Sequence, residues 1–145
     1  VDVPLRYRGM PANERKLRIE DALGMVGLGS RMKHFPAELS GGQQQRAAIA
    51  RAIAGSPRLL LADEPTGNLD TQMARSVLEL LEDINQQGTT IVMVTHDPEL
   101  AARAHRNVHI VDGMATDLSL EPGLARATLA RRVEAEAAAG TAANA

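Results

Sequence analysis

The sequence predicts an α/β fold, with a helical first part followed by a half-core of strand, helix, strand, helix and strand on a mainly parallel sheet. Three observations carry this expectation. Apolar residues recur at helical spacing before residue 57 and again between residues 70 and 87. Two short unbroken apolar runs, at 59–62 and 91–94, have the length and texture of strands covered on both faces. Helix signals separate the successive strands, an alternation that implies parallel pairing with right-handed crossovers.

In chain order, residues 1–9 read as an extended or weakly helical lead-in interrupted by Pro4. Asn13 is placed to cap a helix over residues 14–26, where Ile19, Ala22, Leu23 and Val26 form one apolar stripe. Gly27 and Gly29 end it, glycine accepting the left-handed turn that closes many helices. A polar link then leads to Pro36, and Ser40 caps a second helix that starts at Gly41 and Gly42 and stops at Gly55 before Pro57. The run at 59–62 is the first strand. Asp70 caps a long helix to Gln87 with the stripe Ala74, Val77, Leu78 and Leu81, and Gly88 closes it. Residues 90–94 form the second strand, Asp97 and Pro98 open another helix, and 107–111 form the third strand. Asp112 and Gly113 then read as a hairpin turn. The expected organisation is a helical subdomain over 1–57, a strand-bearing core portion over 58–118, and a terminal helix or disordered tail over 119–145.

Composition narrows the function classes. The 145 residues are 44% hydrophobic, enough for a core, and with one Tyr, one Phe and no Trp that core is aliphatic. A net charge of −2 gives no field that would draw nucleic acid or an anionic membrane, so no nucleic-acid partner is expected. The absence of cysteine excludes disulfides and thiolate metal sites, and fits a reducing compartment. No apolar run approaches the roughly 20 residues that span a bilayer. The chain opens on Val1 rather than Met, and a missing beginning is the expectation.

Three segments carry chemistry. Ser40, Gly41, Gly42 and Gln43 place a hydroxyl and exposed backbone N–H groups at a helix start, where the helix dipole favours a phosphate. An ordinary helix cap explains Ser-Gly-Gly equally well. Asp63 and Glu64 leave the carboxyl end of an apolar strand, where open α/β sheets bind ligands. One carboxylate there can hold Mg²⁺, directly or through water, and the next can orient or deprotonate an attacking water. An acidic strand exit without function is the alternative. His96 follows the second strand, and if the two strands are neighbours it shares a crevice with Glu64, where an imidazole can bond a terminal phosphate or the attacking water. His34, His105 and His109 have no such setting and read as structural.

Taken together, these segments closely resemble the ATP-binding cassette (ABC) ATPase family. Leu39 to Gln43 is similar to its signature motif, Asp63 and Glu64 to the end of its Walker B strand, and His96 to its switch histidine. Gly67, Asn68, Leu69 and Asp70 look like its D-loop. Order and spacing match from near Val1 to about Leu118, and residues 62–70 most resemble ATPases of lipoprotein release and macrolide export. The resemblance implies a partial ABC-type P-loop NTPase domain that uses ATP and Mg²⁺. In it Asp63 would hold the metal shell, Glu64 would be the general base and His96 would contact the γ-phosphate. Ser40, Gly41, Gly42 and Gln43 would cap nucleotide held by a second, partner ATPase subunit, and Asp70 with the D-loop would couple the pair. A transmembrane permease would complete the assembly and hold the chain on the inner, cytoplasmic face of the plasma membrane. Soluble ABC-type ATPases of repair or translation, and a catalytically silent remnant, are the competing readings.

The family's glycine-rich phosphate loop, GxxxxGK followed by Ser or Thr, has no counterpart among these residues, and the two lysines, Lys16 and Lys33, lie outside any glycine-rich loop. In the family that loop precedes the region matched here, so a fragment is expected, inactive alone and with the 59–62 strand leaving an unpaired edge.

Overall fold

The computed structural model describes residues 1–67 and 69–117, so Asn68 and the expected tail over 119–145 lie outside the described residues. Residues 1–96 form one compact unit, and a second begins at Asp97.

The first unit starts with α1 (Asp2–Tyr7) and α2 (Ala12–Met25). The lead-in is thus a helix. Pro4 falls in its first turn, where the N–H it lacks has no helical partner to lose. The α2 helix also starts earlier than its cap signal suggested. Pro11, in extended conformation, occupies the cap position and Asn13 sits inside the first turn without a capping bond. At the other end Gly27 adopts φ 74°, and the Leu28 N–H reaches back to the Leu23 carbonyl at 2.7 Å. Leu28 is buried in the core, so the closure joins a hydrogen bond to an apolar contact. Short 3₁₀ turns at Gly29–Arg31 and Pro36–Glu38 lead to α3 (Gly41–Ile53).

From there the chain runs through β1 (Leu59–Asp63), α4 (Thr71–Gln86) and β2 (Thr90–Val94). The strands pair in parallel, Leu59 beside Thr90 and Asp63 beside Val94. One aliphatic core serves helices and strands alike: Leu5, Ala22, Leu23, Val26, Ile49, Ala50 and Ile53 meet Leu60, Val77, Leu80, Leu81 and Ile84. Arg8 braces the helical end of it, its guanidinium donating to the Gly55 carbonyl at 2.8 Å.

The expectation of strands buried on both faces is corrected. Leu60 is buried, but Leu59, Leu61, Val92 and Val94 are 51%, 72%, 49% and 60% exposed on the alternate positions. The helices of this unit cover one face of the strand pair and leave the other bare. Side chains alternate across a strand, so every second aliphatic residue meets solvent.

The second unit contains α5 (Pro98–Ala102), β3 (Val108–Val111) and β4 (Met114–Asp117). Asp97 caps α5 by accepting the Glu99 and Leu100 N–H groups. The element order predicted from sequence is present, and among the described residues the parallel pairing is that of β1 with β2. β3 instead pairs antiparallel with β4 through a two-residue turn. Asp112 and Gly113 both have positive φ there, 50° and 77°, as a tight hairpin turn requires. The Arg106 guanidinium and the Asp117 carboxylate tie the open end at 2.7 Å. Among the described residues no helix is long and apolar enough to cross a membrane.

Candidate functional site

The turn at Ser40 is held by its own residues. Ser40 is extended, its hydroxyl oxygen accepts the Gln43 N–H at 3.4 Å, and the Gln43 side-chain oxygen accepts the Ser40 N–H at 3.1 Å. This reciprocal capping box settles two of the N–H groups that a helix start leaves unpaired. The serine cap was legible in the sequence. The glutamine half was not recognised, although the Ser-x-x-Gln spacing announces it.

The next three side chains each have a separate anchor. Gln44 donates to the Pro36 and Leu39 carbonyls at 3.1 and 3.0 Å, fixing the turn that precedes the helix. Gln45 donates to the Pro65 carbonyl at 2.8 Å. Arg46 donates to the Val26 carbonyl at 2.9 Å and to the Ser76 hydroxyl, joining α3 to the end of α2 and to α4. Gly42 is buried beneath Met73 of α4. A Cβ at position 42 would lie 2.6 Å from the Met73 sulfur, so glycine is what permits that approach.

The acid pair lies at the carboxyl end of β1. Asp63 closes the strand, and the Glu64 N–H extends the ladder by one bond, to the Val94 carbonyl at 2.9 Å. Glu64 then turns sharply with φ 43°, a left-handed conformation rare for a residue with a side chain. A tight turn follows, the Gly67 N–H donating to the Glu64 carbonyl at 3.2 Å.

Parallel pairing of β1 with β2 brings His96 to the same place. Its backbone N–H donates to Glu64 Oε1 at 3.0 Å, and its Nδ1 lies 2.7 Å from the same oxygen. A carboxylate can only accept, so Nδ1 carries the proton in this contact. Glu64 is held below the ordinary carboxylate value of 4.5, chiefly by the His96 side-chain hydrogen bond. Partial burial opposes this, while the His96 amide, its charge and the Thr95 side chain assist. Glu64 is thus an ionised acceptor at neutral pH, held by groups that follow β2.

Of the remaining expected residues, Asp70 caps α4, its Oδ1 accepting the Met73 N–H at 2.9 Å. Leu69 packs against the core and Gly67 makes the turn below Glu64. Among the described residues no three His, Asp or Glu side chains gather into a metal cluster. Asp63 offers one exposed carboxylate, which suits Mg²⁺ only where phosphate oxygens and waters supply its other ligands.

The site thus combines a parallel strand pair ending in an acid pair, a histidine folded onto the second acid, and a capped Ser-Gly-Gly-Gln turn whose helix is bonded to the same loop through Gln45. Residues 5–67 match the ABC transporter family, and the chain belongs to that family. Over 113 residues it is 56% identical to the macrolide export ATP-binding/permease protein MacB 1/2 of Paracoccus denitrificans, covering 78% of this chain and 17% of that protein. It is 50% identical over 114 residues to the lipoprotein-releasing system ATP-binding protein LolD of Bordetella avium, covering 78% of this chain and 50% of that one. Among solved structures it resembles the ATP-binding cassette MJ0796. The dimeric form matches with a TM-score of 0.66 and 39% identity over 81% of this chain and 54% of that one. A dimeric post-hydrolysis state bound to ADP and Pi matches with a TM-score of 0.67 and 40% identity. The chain therefore spans at most about half the length of these relatives.

Proposed function

We propose that this chain supplies the acid pair, switch histidine and signature turn of the ATP-hydrolysing component of an ABC transporter. The observation that carries this reading is the Glu64–His96 contact at 2.7 Å, one residue after Asp63 at the end of β1. Glu64 is the general base. It is ionised, and His96 keeps it in one pose, so it can accept the proton of a water placed against a terminal phosphate. The His96 proton is engaged at Nδ1, which leaves Nε2 as the ring atom to meet that phosphate. Asp63 would hold the Mg²⁺ shell, and the metal when bound would supply charge neutralisation at the phosphate oxygens.

Ser40, Gly41, Gly42 and Gln43 serve a different nucleotide, one held by a second ATPase subunit across a dimer interface. Gly67, Leu69 and Asp70, with the rest of the D-loop, would couple the two subunits there. The likeness to MacB and LolD supports macrolide-export or lipoprotein-release machinery as the setting, with a permease subunit that brings the chain to the inner face of the membrane.

The sequence carries no GxxxxGK string. Backbone and lysine contacts to the phosphates supply much of the positioning in P-loop sites, so the chain by itself binds ATP poorly and hydrolyses it negligibly. The test measures phosphate release from Mg-ATP twice. The purified chain should give no turnover above that of Glu64→Gln. A complete cassette containing these 145 residues should turn over ATP and lose at least about a hundredfold on Glu64→Gln. Equal turnover of that cassette with and without Glu64 overturns the assignment of the base.

A further inference from the structure

We infer that Gln45, on the signature helix, is a positioning residue for Glu64, holding the general base in its left-handed pose by bonding the carbonyl of Pro65, 20 residues away. The inference rests on the role proposed for Glu64 and adds to it the group that sets its geometry.

A residue with a Cβ keeps φ near 43° only where its surroundings hold it there. The supports around Glu64 can be named. Its N–H is bound by the Val94 carbonyl, its carboxylate by the His96 amide and ring, and its own carbonyl by the Gly67 N–H. All of these come from β2, the residues just after it, or the turn itself. The carbonyl of the next residue, Pro65, is bound from elsewhere, by the Gln45 amide at 2.8 Å. Pro65 is buried and Gln45 half-buried, so this bond is sheltered from water that could replace it.

Gln45 is itself firmly placed. One residue on, Arg46 ties α3 to Val26 and to Ser76, and three residues back Gly42 lies under Met73. The helix is thus fixed to α4, and its Gln45 reaches across to the acid-pair loop. Proline restricts what Glu64 can do once that bond is gone. The residue before a proline avoids the right-handed helical region, so a released Glu64 relaxes toward extended backbone. That rotation carries its carboxylate away from His96. The helix that presents Ser40 to one nucleotide therefore also sets the base for another.

The experiment is site-resolved hydrogen exchange on the whole chain, which needs no nucleotide and so stands apart from the turnover test of Glu64. Gln45→Leu removes the donor, and Gln45→Glu removes it while keeping length and shape. Both variants should speed exchange of the His96 and Gly67 amides at least tenfold and leave the amides of α4 unchanged. Unchanged exchange at His96 and Gly67 overturns the proposal. So does acceleration spread evenly through α4, or loss of the fold in both variants, because either result makes Gln45 a general stabilising residue.

Discussion

The turns at Ser40 and Glu64 both set polar residues at the end of an element, and they are held in opposite ways. Ser40 closes a ring with Gln43, three residues on, in a backbone conformation any residue adopts. Glu64 adopts a left-handed conformation held through a Gln45–Pro65 bond that spans 20 residues and a His96–Glu64 bond that spans 32. The first turn is a local product of spacing. The second exists only once α3, β1 and β2 have assembled, so its geometry reports on tertiary structure. Under the role proposed for Glu64, the base would reach its working pose only in the folded unit.

The contrast can be broken at several points. Arg46→Ala has the largest expected effect, removing charged hydrogen bonds that join α3 to α2 and α4, at a cost of about 2 kcal/mol in urea unfolding. A loss below about 0.5 kcal/mol would mean that apolar packing alone fixes the helix. Ser40→Ala should cost about 1 kcal/mol, and Ser40→Gly much less, because only the cap is lost. Exchange at His96 should not change in either variant. At the other turn Glu64→Gly should fold more stably than Glu64→Ala, by about fivefold in the equilibrium constant, since glycine accepts positive φ freely. Equal stability of the two would remove backbone strain from the comparison. The smallest effect is that of acid. The folded state depresses the pKa of Glu64, so its contribution is complete above about pH 4.5 and disappears as pH falls through the lower folded value. The stability difference between the wild-type chain and His96→Ala should therefore shrink only below pH 4.5. A difference that shrinks between pH 8 and 6 would assign the effect to another group.

What was legible in the sequence was what short spacing encodes. Ser40, Asp70 and Asp97 cap the helices predicted for them, and Asp112 with Gly113 makes the predicted turn. The meeting of Glu64 and His96 was also foreseen, because it follows once the two strands are neighbours in parallel. The Gln45–Pro65 bond was not, since nothing in a run of glutamines names a partner 20 residues away. Glu64 gave no sign of its backbone conformation because no glycine marks it. Coverage of the strands was misjudged for a related reason. The run Leu-Leu-Leu-Ala states that both faces are apolar, while burial depends on how many elements arrive to cover them. Similarly, Asn13 lost its cap role to Pro11, two residues earlier.

The bare face of β1 and β2 has a practical consequence for handling the chain. Leu59, Leu61, Val92 and Val94 give water an aliphatic patch, and contact between such patches is driven by the release of that water. This force weakens on cooling and strengthens with sulfate. Solutions of the chain should therefore scatter more light on warming or on addition of ammonium sulfate, and clear again in the cold. Sodium chloride at the same ionic strength should do much less.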